Sequence, residues 1–183
     1  MLEVNMKKLQ IGVLGSMVDI NNSKEALAVA ERVGELIAEK GGITFFGAEK
    51  DMDSLSTAAC RGAKKKGGLT VGVTYGKEKN IVEKDADIIL PTGLDRGGGR
   101  EFVLVLACDA VIAISGGSGT LNELAVAYQA DIPMIALTGY GGWSDKLADT
   151  YFDERNRRKV LAAATPEEAV EKAFGEAKKK LGQ

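Results

Sequence analysis

The residues able to do chemistry gather in glycine-rich stretches, and the sharpest is Ser115-Gly116-Gly117-Ser118-Gly119-Thr120. It follows an apolar run ending at Ile114 and precedes the helical pattern of Leu121, Leu124, Ala125 and Tyr128. A strand, then glycines, then a helix is an arrangement that binds anions. Glycine lets the backbone approach closely and take positive φ, while the first helical N–H groups and the helix dipole favour negative charge. A tight turn that merely packs the helix against a sheet uses the same residues, so both readings stand. The stretch is not a lysine-bearing P-loop and lacks the GxGxxG spacing. Glu123 completes a T-x-x-E capping box with Thr120, a contribution of about 1 kcal/mol. It also lies opposite the apolar stripe of its helix, where it can face a cleft.

A second stretch runs Thr92-Gly93-Leu94-Asp95-Arg96-Gly97-Gly98-Gly99-Arg100-Glu101. An arginine at a helix start opposes the dipole at a cost of about 0.3–1 kcal/mol, which a bound anion offsets. Surface pairing of Arg100 with Glu101 is the plainer alternative. At the end of the first apolar run, Gly12 and Gly15-Ser16 suit either a ligand lying across a sheet edge or a tight turn. Gly139-Tyr140-Gly141-Gly142-Trp143 is one more candidate ligand loop, although Trp143 reads better as an anchor for a loop than as a platform for a base. The candidate phosphate-binding positions are therefore Gly15, Ser16, Thr92, Gly93 and the run Gly116, Gly117, Ser118, Gly119 and Thr120.

Composition narrows what these loops can do. The chain has 183 residues with 23 glycines, no histidine, 45% apolar residues and a formal net charge of -2. Without histidine there is no histidine-based triad, no HExxH zinc site and no imidazole switch near neutrality. Catalysis has to rest on carboxylates, cations, hydroxyls or backbone amides, with no metal and no resident cofactor expected. The slight negative charge argues against nucleic acid, and Lys64-Lys65-Lys66 and Lys178-Lys179-Lys180 read as solvated helix ends. Cys60 and Cys108 fit no CxxC pattern and read as buried thiols in a reducing compartment. No signal-like or membrane-length apolar run occurs, so the expectation is a cytoplasmic protein without a membrane partner.

The elements that must position these loops alternate. Strands are predicted at Leu9–Leu14, Ile43–Phe46, Leu69–Val73, Asp87–Leu90, Ala110–Ile114, Pro133–Leu137 and Val160–Ala163. Ala26, Ala30, Val33 and Ile37 form one helical stripe that starts after Asn22 or Ser23 and stops at Gly41-Gly42. A second helix stops at Gly67-Gly68, and Thr165-Pro166-Glu167-Glu168 opens the last one. The apolar run Phe102–Ala107 suits helix or strand; a helix preserves the βαβ alternation. The expected fold is a single domain over 1–183: an α/β, doubly wound parallel sheet of about seven strands with helices on both faces.

Together these residues resemble the LONELY GUY (LOG) family of cytokinin riboside 5'-monophosphate phosphoribohydrolases, once labelled possible lysine decarboxylases, and their relatives the molybdenum-cofactor carrier proteins. The family signature PGGxGTxxE is similar to Ser115-Gly116-Gly117-Ser118-Gly119-Thr120-Leu121-Asn122-Glu123, and its catalytic arginine matches Arg100, nine residues before Asp109-Ala110-Val111. Two departures stand out: Ser115 replaces the family proline, and the glycine-rich stretch after the second strand reads Phe45-Phe46-Gly47-Ala48-Glu49-Lys50. The resemblance implies a Rossmann-like fold, a small nucleotide or pterin phosphate as ligand, and a homodimer or higher homo-oligomer. It implies catalytic roles for Arg100 and Glu123 in cleaving the N-glycosidic bond of a nucleoside 5'-monophosphate to free base and ribose 5-phosphate. The alternative is a non-catalytic carrier of molybdopterin or a nucleotide. Decarboxylation is excluded as mechanism, since no lysine stands where pyridoxal chemistry would need it.

Overall fold

The computed structural model describes residues 7–16, 24–95 and 99–182. The proposed helix start at Asn22 or Ser23, and Arg96, Gly97 and Gly98 of the second loop, lie outside these residues. Seven parallel strands form one sheet: β1 (Gln10–Gly15), β2 (Ile43–Gly47), β3 (Leu69–Thr74), β4 (Ile88–Pro91), β5 (Ala110–Ile114), β6 (Met134–Leu137) and β7 (Val160–Ala163). Among the described residues six helices connect and cover it: α1 (Lys24–Glu39), α2 (Leu55–Lys65), α3 (Arg100–Leu106), α4 (Ser118–Gln129), α5 (Gly142–Leu147) and α6 (Pro166–Leu181). The ambiguous run after Arg100 is helical, as the βαβ alternation requires.

The strand order is β4-β3-β2-β1-β5-β6-β7. Connections therefore run outward from β1 in one direction and from β5 in the other, and the topological switch falls between these two strands. Open parallel sheets bind ligands beyond the carboxyl ends of their strands at such a switch. Register is tight there, with Ile11 opposite Ala110 and Gly15 opposite Ile114. Every residue of β5 is buried, as expected for a central parallel strand covered on both faces.

The period-2 alternation divides the core. Ile11, Val13, Ile112 and Ile114 point to one face, where they meet Ala26, Ala30, Val33 and Ile37 of α1, with α2 and α6 beside it. Leu14, Val111 and Ala113 point to the other, against Leu104 and Val105 of α3 and Leu124 and Ala127 of α4. Two glycines inside helices set how closely α1 and α2 cross. A Cβ on Gly34 would lie 1.9 Å from the Ala59 carbonyl oxygen, and one on Gly62 would lie 1.8 Å from that of Glu31. The two backbones touch because neither position carries a side chain.

Local signals act where the sequence places them. Thr165 caps α6 by accepting from the Glu168 N–H at 3.2 Å, while the Glu168 carboxylate accepts from the Ala164 N–H at 2.8 Å. The lysines ending α2 are surface ion-pair partners: Lys64 with Asp87 at 2.5 Å, Lys66 with Glu39 at 2.9 Å, and Lys65 with Glu31. Cys60 and Cys108 are free and buried, and burial pushes the Cys60 thiol up to about 12. Gly12, read above as a possible ligand edge, instead makes room for Cys108, whose Sγ would lie 2.9 Å from a Cβ at that position. No helix among the described residues is long and apolar enough to cross a membrane.

Candidate functional site

At the switch point, Gly15 and Ser16 end β1, and Gly117–Thr120 open α4 after β5. Between them lies a cleft of about 160 Å³, lined also by Glu49, Ser56, Arg100, Glu101 and Glu123. Gly15 is glycine because a Cβ there would lie 2.6 Å from the Cβ of Leu55, the first residue of α2. Ser16 is buried, and its carbonyl accepts from the Leu55 N–H at 3.0 Å, tying the end of β1 to the start of α2.

The loop after β5 turns through Ser115 at φ 56° and Gly116 at φ 101°. Left-handed backbone at a non-glycine residue is uncommon and needs surrounding contacts to hold it. Those contacts come from α5: the N–H groups of Ser144 and Trp143 donate to the Ser115 and Gly116 carbonyls at 3.0 and 2.9 Å. A proline, the residue of the resembled signature at this place, has φ locked near −65° and cannot adopt Ser115's conformation. The replacement of that proline thus goes with a loop geometry that proline would forbid. Gly142, at φ 68°, lets α5 come this close, since a Cβ there would lie 2.6 Å from the Gly116 carbonyl oxygen. The cluster Gly139–Gly142, expected as a ligand loop, therefore braces the loop after β5 and does not line the cleft. Trp143 is half-buried on that brace, with Lys146 Nζ 4.6 Å from its ring centroid.

Helix α4 begins at Ser118 with Gly117 as its N-cap, and no side chain caps it. The predicted capping box of Thr120 and Glu123 is therefore not formed. Both residues lie too far inside the helix, and Thr120 packs over Gly116. The first N–H groups of α4 open onto the cleft, so a bound anion there would satisfy what no side chain does.

Arg100 starts α3 and is 7% exposed, so its pairing with carboxylates is buried, unlike the surface pair that was one of the two sequence readings. Its Nη2 donates to Glu49 Oε1 at 3.1 Å; Nη1 lies 3.6 Å from Glu123 Oε1, and Nε lies 3.9 Å from Glu101 Oε1. Gly47 provides the space, because a Cβ there would lie 2.3 Å from Arg100 Nη1. The three carboxylates offset the unfavourable placement of the cation at a helix N-terminus. Glu123, buried at 6% exposure, is pushed up to about 7 by desolvation; Arg100 opposes the rise, while Glu101 and Glu49 add to it. A carboxyl tuned to this range exchanges protons near neutrality, which suits acid–base work.

The structure thus brings together Gly15, Ser16, Arg100, Gly117, Ser118, Gly119, Thr120 and Glu123, with Gly116 supporting from beneath. It does not bring Thr92 and Gly93 to the cleft. They lie beyond β4, three strands from the switch, where the Thr92 hydroxyl and N–H both donate to the Thr74 carbonyl at 3.0 Å. Glu49, Ser56 and Glu101 are cleft residues that sequence reading did not select. The available signal was a carboxylate placed just past the carboxyl end of a strand. Among the described residues no group of acidic, cysteine or histidine side chains is spaced to hold a metal ion.

Comparison with known proteins agrees with this fold. The model of the SLOG cluster4 family matches residues 8–170. An uncharacterised protein of Archaeoglobus fulgidus is 39% identical over 122 residues, covering 67% of this chain and 75% of its own. The molybdenum cofactor binding protein of the phototrophic bacterium Rippkaea orientalis is 32% identical with a TM-score of 0.78, over 93% of this chain and 98% of its own. The molybdenum cofactor carrier protein of Chlamydomonas reinhardtii is 29% identical with a TM-score of 0.76, over 97% of this chain and all of its own (100%).

Proposed function

The chain belongs to the SLOG cluster4 family, and on that premise we propose that its switch-point cleft binds a small phosphorylated nucleotide and hydrolyses its N-glycosidic bond, releasing a free base and ribose 5-phosphate. The observation that carries the reading is the convergence of Arg100 and Glu123 on the cleft that the uncapped end of α4 also lines. The phosphate sits on the amides of Ser118–Thr120, which fixes the ribose relative to Glu123. Bond cleavage builds positive charge on the ribose carbon and negative charge on the departing base. Ionised Glu123 stabilises the first or orients the attacking water, whose hydroxyl goes to the ribose carbon and whose proton goes to the departing base, and Arg100 holds that carboxylate in place beside the reacting centre.

A carrier reading is favoured by a different observation, the two solved relatives named for binding or carrying molybdenum cofactor. In that case a pterin phosphate occupies the same amides and no bond breaks. One experiment separates the readings: incubation with a panel of nucleoside monophosphates and a pterin phosphate, assaying both binding and ribose 5-phosphate. Release that Glu123→Gln abolishes supports hydrolysis. Tight pterin phosphate binding with no release from any nucleotide supports the carrier, and release unchanged in the variant removes the assignment of Glu123.

A second copy of the chain fits the reading as partner. Phe102, Val103 and Leu106 on α3 are exposed, and Phe102 and Leu106 border an apolar depression of about 340 Å³ shared with Ala125 and Val126 of α4. Burial of that face between two subunits would stiffen the helices that carry Arg100 and Glu123. The two free, buried thiols suit a reducing, cytoplasmic setting.

A further inference from the structure

The edge of the sheet opposite the switch-point cleft carries a second depression. It lies at the amino ends of β6 and β7, has a volume of about 250 Å³, and is walled by Arg157, Arg158, Lys159, Pro133, Leu161 and, from α6, Glu176. Sites for drug-sized ligands run from about 300 Å³ upwards, so this one suits a smaller molecule.

The charges around it are unevenly paired. Arg158 Nε donates to Asp131 at 2.7 Å, its Nη1 lies 3.7 Å from Glu176, and Lys159 Nζ lies 3.3 Å from Asp149. Glu176 is shared with Lys179 at 2.6 Å, and Lys180 reaches the Ala130 carbonyl at 3.4 Å, beside Asp131. The Arg157 guanidinium forms no ion pair or hydrogen bond among the described residues. Arg157, Arg158, Lys159, Lys179 and Lys180 thus meet Asp131, Asp149 and Glu176, a surplus of two positive charges in a chain whose formal net charge is -2.

The loop that presents the arginines is fixed from behind. The Tyr128 hydroxyl donates to Asp153 at 2.5 Å, the Arg155 N–H donates to the same carboxylate at 3.0 Å, and Phe152 stacks on Tyr128 with ring centroids 5.1 Å apart. Arg158, 20% exposed, is held in orientation by Asp131 and Glu176 and retains Nη N–H groups for a ligand. Adjacent guanidiniums match the oxygens of a phosphate group, each in bidentate fashion. A phosphate monoester carries about −1.5 to −2 at neutral pH, close to the local surplus, whereas a carboxylate carries half of that. Pro133 and Leu161 offer an apolar wall that inorganic phosphate would leave uncovered.

We propose that this depression is a second binding site, taking a small phosphate monoester whose phosphate is clamped by Arg157 and Arg158 and whose apolar body lies on Pro133 and Leu161. It shares no lining residue with the switch-point cleft, so both can be filled at once.

The test is an amide NMR titration of the full chain with phenyl phosphate, inorganic phosphate and benzoate at constant ionic strength, for wild type and Arg157→Met. The amides of Arg157–Lys159 read this site, and those of Ser118–Thr120 read the cleft separately. In wild type the 157–159 amides shift saturably, with phenyl phosphate bound at least about fivefold tighter than inorganic phosphate, which lacks the ring, and than benzoate, which lacks the second charge. Arg157→Met weakens phenyl phosphate there by about tenfold and leaves the response of Ser118–Thr120 within about twofold. Three results each overturn the proposal: no saturable shift at 157–159 with phenyl phosphate, benzoate bound there as tightly as phenyl phosphate, or an affinity there that Arg157→Met leaves unchanged.

Discussion

Glu123 carries the chemical argument at the scale of single residues. Its folded-state value is raised to about 7 by burial, above the ordinary carboxylate value of 4.5. The native state therefore keeps a proton through this window that the unfolded chain has released. Stability from this group is full below about pH 4.5, falls as pH rises towards 7, and levels off above it. Thermal unfolding between pH 5 and 8 should show a falling Tm in wild type and a much flatter profile in Glu123→Gln. A Tm that rises with pH in both proteins contradicts the burial argument. Arg100 gives the complementary case: Arg100→Met strands three buried carboxylates and should cost about 3–5 kcal/mol near pH 8, and less near pH 5, where Glu123 carries a proton. Denaturant titration at the two pH values measures it. Much of this was legible beforehand, since Arg100 and Glu123 stand out by type and spacing next to glycine-rich turns. The Glu49 stretch stood out only as a departure from the resembled pattern; that Glu49 lines the cleft depends on which strand β2 lies beside, and strand order is not written in local residue pattern.

The glycines explain more at the scale of elements than any single motif suggests. The loop Ser115–Gly117 keeps its left-handed turn only because α5 donates two hydrogen bonds to it, and α5 approaches only because position 142 lacks a side chain. Gly142→Ala should thus lower affinity for a phosphorylated ligand although it does not line the cleft, with a stability loss of about 1–3 kcal/mol. Unchanged phosphate affinity in that variant, measured by titration, contradicts the bracing role. The crossing of α1 and α2 makes a separate case: Gly62→Ala should destabilise by about 1–3 kcal/mol through overpacking while leaving ligand affinity within about twofold. Strand and helix positions were readable because parallel strands are continuous apolar runs separated by glycine stops. The glycines inside helices were not, since an interior glycine is ordinary in a sequence until a second helix is found against it. Thr92 and Gly93 misled for a related reason. A turn at a strand's carboxyl end resembles a ligand position wherever the strand lies, and β4 lies at the edge of the sheet.

For the whole molecule, strand order decides where the candidate site sits. The order β4-β3-β2-β1-β5-β6-β7 opens one switch point, and the charged residues selected by sequence converge there. The exposed apolar face of α3 and α4 lies on the two helices that carry Arg100 and Glu123. Sedimentation should give a homodimer or higher oligomer in wild type, and Leu106→Glu, at a position 58% exposed in the single chain, should dissociate it without unfolding the subunit. A wild-type monomer at micromolar concentration contradicts this part of the account.

That Arg100 and Glu123 act on the N-glycosidic bond of a nucleotide whose phosphate α4 holds is tested most directly by single-turnover release of ribose 5-phosphate from a nucleoside 5'-monophosphate. Wild type is predicted to release it with a rate that rises as pH passes through about 7, as Glu123 ionises. Glu123→Gln is predicted to release none while still binding the nucleotide. Equal release by the two proteins, or binding without release by wild type at every pH, would contradict the claim.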